Sequence, residues 1–114
     1  MGLSKAQEEV PDNIIELDLS QFSKEDVEKI KALGEKQKLC YRWFRYERVT
    51  EPGLDQFMIY SGARSQTPYS CYRVERYPDA HYTLVSHRTG ENIVTGRTLE
   101  TVLDHLPDDF FYSL

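Results

Sequence analysis

The stretch Cys40-Tyr41-Arg42-Trp43-Phe44-Arg45-Tyr46 is nearly repeated further on as Cys71-Tyr72-Arg73-Val74-Glu75-Arg76-Tyr77. Both read C-Y-R-x-x-R-Y, and their aromatic and β-branched content is that of strands. Side chains on a strand alternate between two faces. In the first stretch Tyr41, Trp43 and Arg45 share one face, and Cys40, Arg42, Phe44, Tyr46 and Arg48 the other. In the second, Tyr72, Val74 and Arg76 share one face, and Cys71, Arg73, Glu75 and Tyr77 the other. Neither strand has a purely polar side, which predicts some cover on both.

Working outward, the β pattern extends from Leu39 to Thr95, with strands expected at 39–49, 56–61, 69–77, 81–87 and 92–95. Their separators are Glu51-Pro52-Gly53, Gly62 through Pro68, Pro78-Asp79-Ala80 and Arg88-Thr89-Gly90-Glu91. Such turn chemistry is short enough for hairpins, so successive strands run antiparallel as a meander. Upstream, Ile15, Leu17 and Leu19 alternate with Glu16 and Asp18, predicting a short N-terminal strand.

Two helices flank the strands. Ser23 is an N-cap with Asp26 three residues on, a variant of the capping box, and Phe22 with Val27 suits a hydrophobic staple. Val27, Ile30 and Leu33 then mark an apolar stripe on a helix over 24–37. Thr98 caps a second helix over 98–106, with Leu99, Val102, Leu103 and Leu106 at helical spacing before Pro107. The fold class is therefore α+β: an antiparallel meander of about five strands plus a short N-terminal strand, packed by two helices. Residues 1–13 read as a flexible, polar N-terminal arm and 14–114 as a single α+β domain.

Charge is unevenly placed along the 114 residues. All six lysines lie at or before Lys38 and all eight arginines from Arg42 to Arg97, leaving residues 40–97 at +2 inside a chain of net −5. A dedicated phosphate binder is usually basic overall, so the total disfavours nucleic acid while leaving room for a local patch. No apolar run approaches the roughly 18 residues that span a bilayer, so no membrane partner is expected. Met1 to Pro11 lacks the apolar centre of a signal peptide, which makes cytoplasmic location the expectation.

No residue pattern carries recognisable chemistry. Cys40 and Cys71, at equivalent places in the echo, are candidate neighbours, yet no C-x-x-C or H-x-x-x-H spacing joins them to His81 or His87. No metal and no cofactor is expected. His81, His87 and Arg88 offer the toolkit of a metal-free nuclease or hydrolase, provided they converge. Gly53, Gly62, Gly90 and Gly96 sit singly at turns and form no phosphate cradle.

The leading expectation is a non-enzymatic interaction module working through protein–protein contacts, with a homodimer among its forms. Tyr and Arg abound at binding hot spots, and the terminal Phe110-Phe111-Tyr112 is unusually apolar. Tyr41, Trp43, Arg45, Arg76, Phe110 and Phe111 are its candidate contacts. The alternative is single-stranded RNA or DNA binding on an Arg/aromatic sheet face, through Arg42, Arg45, Arg48, Arg73 and Arg76 with Tyr41, Trp43 and Tyr72.

Overall fold

The computed structural model describes residues 17–64 and 68–112. Helix α1 spans Lys24–Leu39, followed by strands β1 (Arg42–Glu51), β2 (Leu54–Ala63), β3 (Ser70–Arg76), β4 (Tyr82–Ser86) and β5 (Asn92–Gly96). A short helix α2 (Leu99–Leu103) and a 3-10 turn (Asp108–Phe110) complete the order. The five strands form one antiparallel sheet in sequence order, the expected meander.

Helix α1 begins where its cap chemistry places it. The Ser23 side chain accepts from the Asp26 N–H, and the Asp26 carboxylate accepts from the Ser23 N–H, both at 3.1 Å. The helix runs two residues past the expected end, straight through Gly34. A Cβ on Gly34 would lie 2.7 Å from the Phe44 ring, so the missing side chain lets α1 approach β1. After Leu39 the chain reverses through Tyr41, whose φ of 57° is left-handed, and this delays β1 to Arg42.

The β1–β2 hairpin closes on Pro52-Gly53 alone, with Glu51 opposite Leu54, so both strands extend further into the turn than expected. Gly53 supplies the positive φ of 81° that this connection requires. Helix α2 is shorter than the expected 98–106 span. Thr98 caps it through the Thr101 N–H, but beyond Leu103 the chain makes only tight turns, from His105 to Val102 and from Leu106 to Leu103.

The expected N-terminal strand is not formed over its described part. Leu17 and Leu19 are exposed, and Asp18 instead accepts hydrogen bonds from the Ser20 and Gly53 N–H groups, bending the chain locally. Leu19 keeps one backbone bond, to the Pro78 carbonyl. Ile15 and the arm over 1–13 lie outside the described residues.

The register sorts the sheet into two faces. Phe44, Phe57, Ile59, Tyr72, Val74, Tyr82 and Leu84 share one, and there they meet Phe22, Ile30 and Leu33 and then Leu99, Val102, Leu106 and Phe110. Burying these side chains, at about 1.5–3 kcal/mol for each large one, is the main stabilising term of the fold. Both helices serve this face. Among the described residues no helix crosses the other, yet Glu75, Thr83 and Val85 are buried there, so the expected cover on that side comes from the sheet's own side chains.

Candidate interaction surface

The covered face uses several charged groups structurally. Asp55 is fully buried, accepting from Arg48 at 2.6 Å, from the Phe22 N–H at 2.9 Å and from Thr50 at 2.8 Å. Burial opposes its charge, but these donors outweigh burial and hold its carboxyl below the usual carboxylate range. Asp26 receives Arg76 at 2.7 Å and the Tyr82 hydroxyl at 2.8 Å. Burial and that carboxylate push Tyr82 up to about 12. Arg42 is buried, donating to Ser61 Oγ and to the Asp109 carbonyl. Tyr72 donates to Asp109 at 2.5 Å. Thus Arg42, Arg48, Arg76 and Tyr72 all work within the fold.

The uncovered face is different. Trp43 and Tyr69 have ring centroids 5.9 Å apart, Tyr69 and Tyr60 are again 5.9 Å apart, and the Arg45 guanidinium lies 4.7 Å from the Tyr60 ring. The sequence places them there in steps. The Pro52-Gly53 turn sets Arg45 opposite Tyr60 and Trp43 opposite Gly62, and the indole covers the bare glycine backbone. Tyr60 donates to Glu47 at 3.0 Å, and burial together with this bond raises its hydroxyl pKa. The result is a partly exposed chain of three aromatic rings ending in a cation, the composition of binding hot spots.

Two further arginines are held by polar contacts nearby. Arg88 donates to the Tyr69 carbonyl at 3.2 Å. Arg73 pairs with Glu75 at 2.8 Å and approaches His87 Nδ1 at 3.4 Å. Glu75 also accepts from Tyr77 and Thr83. Cys71 is opposite Tyr60, and burial pushes its thiol up, away from the nucleophilic thiolate.

Of the residues expected at an interaction site, Trp43 and Arg45 come together here, and Arg73 from the nucleic-acid set shares their face. Tyr41 is 76% exposed at the turn before β1. Arg76 lies on the opposite face beside Asp26. Phe110 is fully buried in the core and Phe111 packs on it at 5.4 Å, so this apolar end docks on its own domain. Tyr60 and Tyr69, which the sequence reading did not single out, complete this ring series. The two-residue turn carried the signal for Tyr60, because a register that pairs Glu51 with Leu54 also pairs Arg45 with Tyr60.

The echoed stretches turn out to be out of phase. Arg42 points to the covered face while its counterpart Arg73 points to the open one, and Arg45 and Arg76 are exchanged in the opposite sense. Cys40 caps α1 outside the sheet, so the two cysteines are not strand neighbours.

His81 and His87 stand just beyond opposite ends of β4, roughly 20 Å apart along the strand. His81 instead contacts Asp79 through Nδ1 and stacks on Tyr77 at 4.7 Å, with Arg97 3.9 Å from Asp79. Hydrogen bonds from His81 hold Asp79 below its usual pKa. Among the described residues no three His, Cys, Asp or Glu side chains are grouped as a metal site would need, and no helix is long and apolar enough to cross a membrane.

Fold and surface together define an α+β domain with a half-covered antiparallel sheet. No protein family, curated protein or solved structure matches the chain.

Proposed function

We propose that this protein is a non-enzymatic interaction module that binds a protein partner through the uncovered face of its sheet. The observation that carries this reading is the Trp43–Tyr69–Tyr60–Arg45 chain of tilted ring contacts ending in a cation, on a face that no helix shields. Aromatic rings combine large contact area with low ordering cost and arginine adds a planar fork of donors, which is why they dominate interface energetics.

The test is site-specific photo-crosslinking in the native cell. A photoreactive residue at Tyr69 is expected to give a discrete protein adduct that Tyr60→Ala weakens, whereas one at the exposed Glu100 on α2 is expected to give none. Equal adducts from both positions, or none from Tyr69, would overturn the reading.

A second reading, single-stranded nucleic acid on the same face, draws support from Arg45 at the Tyr60 ring, Arg73 on the same face and Arg88 at the Tyr69 carbonyl. Trp43 emission separates the two. Quenching by mixed single-stranded RNA at low salt, reversed at high salt, favours nucleic acid; emission indifferent to RNA favours protein.

A further inference from the structure

The two edges of the sheet are unequally guarded. Strand β5 is five residues long, ends at Gly96 and meets β4 through a register shift at Leu84/Val85. Short length, irregularity and glycine all discourage a further strand from adding. Strand β1 is ten residues long, contains no proline or glycine, and keeps an unbroken register from Arg42 to Glu51. Among the described residues no strand pairs with its outer side.

Backbone geometry determines which groups that edge offers. A two-residue connection closes on a hydrogen-bonded pair, here Glu51 with Leu54, and bonding then alternates along the ladder. The odd-numbered residues of β1 therefore bond to β2. The Arg64 N–H donating to the Tyr41 carbonyl, one step beyond the ladder, shows the same phase. Phe44, Tyr46 and Arg48 consequently turn their backbone N–H and C=O outward.

We infer that β1 pairs antiparallel with β1 of a second copy of this chain, about a two-fold axis at Tyr46. The inference rests on the protein-contact reading above but uses the sheet's edge, not its face. An antiparallel two-fold pair must match outward-facing residues with each other, so the axis passes through a residue. Axes at Arg45, Glu47 or Arg48 place identical charges opposite each other, and an axis at Phe44 pairs only residues 42–46. The axis at Tyr46 pairs residues 42–50.

At that register Arg45 faces Glu47 of the second copy and Trp43 faces Val49 of the second copy, each twice by symmetry. Opposite charges and an aromatic–β-branched pair are the favourable cross-strand combinations. Val49 and Tyr46, exposed large apolar side chains in the single chain, gain partners. Between α1 and this strand runs a trough of about 430 Å³, lined by Gly34, Phe44 and Tyr46 with Lys31, Lys38 and Arg45, which leaves room beside the edge for an incoming strand's side chains. Pairing joins the two sheets and continues the aromatic face of one copy into the other.

The test is sedimentation of the full chain across a concentration series. The wild type is expected to dimerise, and Arg45→Glu or Glu47→Arg alone to raise the dissociation constant at least about tenfold. Both variants should keep wild-type circular dichroism, since both side chains are exposed and their contacts with Tyr60 lie at the surface. Mixing the two variants is expected to restore dimers. Across the axis of the mixed pair, the carboxylate introduced by Arg45→Glu faces the guanidinium introduced by Glu47→Arg. The native Glu47 of the first variant likewise faces the native Arg45 of the second. A wild type that stays monomeric, single variants that dimerise undiminished, or a mixture that fails to recover would each overturn the inference. A monomeric wild type that still crosslinks at Tyr69 would overturn the dimer alone and leave the face-binding reading standing.

Discussion

Trp43 and Gly62 stand opposite each other across the β1–β2 ladder, and a Cβ on Gly62 would lie 2.7 Å from the indole. The indole therefore occupies the space of an absent side chain. Its position anchors the ring series that continues through Tyr69 to Tyr60.

Gly62→Ala should evict the indole with little loss of fold. Trp43 is half-buried and can swing toward solvent, so the cost belongs at the low end of overpacking, about 1 kcal/mol. The emission maximum is expected to move red. An unchanged spectrum would mean that the indole does not cover the glycine.

Arg48→Ala leaves the fully buried Asp55 without its guanidinium partner. Stranding a buried charge is costly, so a loss of about 3 kcal/mol is expected from urea unfolding. Arg48→Lys should recover only part of it, since one ammonium cannot reproduce the three contacts that the Nε and Nη2 donors make.

The pH dependence follows from the same groups. Asp55 has a folded pKa below its unfolded value, so its contribution is full above the usual carboxylate range and is lost as pH falls through the folded value. Tyr82 is raised to about 12, so its contribution is full below pH of about 10 and declines as pH rises toward 12. Urea midpoints should fall at both extremes, and Asp55→Asn should flatten the acid limb. An acid limb unaltered in that variant would place the acid sensitivity elsewhere.

Phe110 is fully buried against Phe44 and Tyr72, which places the apolar C-terminal segment in the core. Phe110→Ala should cost about 3–5 kcal/mol. Deleting residues 108–114 should lower the melting temperature at least as far. A truncated chain that melts like the full one would contradict this docking.

The thiols should differ in reactivity. Cys40 is exposed at the end of α1, while burial raises the Cys71 thiol beside Tyr60. Titration with a thiol-reactive chromophore at pH of about 8 is expected to show one fast and one slow group, and Cys40→Ser should remove the fast one.

The amino-acid order by itself determined the local features. Period-two alternation, Pro-Gly and Asp-containing turns, and the Ser23/Asp26 cap specify strands, hairpins and a helix start through contacts between near neighbours. Their sum dictates a five-stranded meander flanked by helices. Small errors came at the ends, where Tyr41 takes a left-handed turn and where Asp18 captures backbone N–H groups that a strand would have used.

Tertiary structure alone decided which face the helices cover. Alternation defines two faces but does not rank them when both carry aromatics and arginine. That choice required Phe22, Ile30 and Phe110, distant in sequence, to meet Phe57 and Val74 in one core. Once made, it sent Arg42 and Arg76 inward to structural partners and left Arg45 and Arg73 outward, although the two stretches read alike. The likeness lies in residue order, whereas the role of each arginine follows from its strand's phase against a core built by long-range packing.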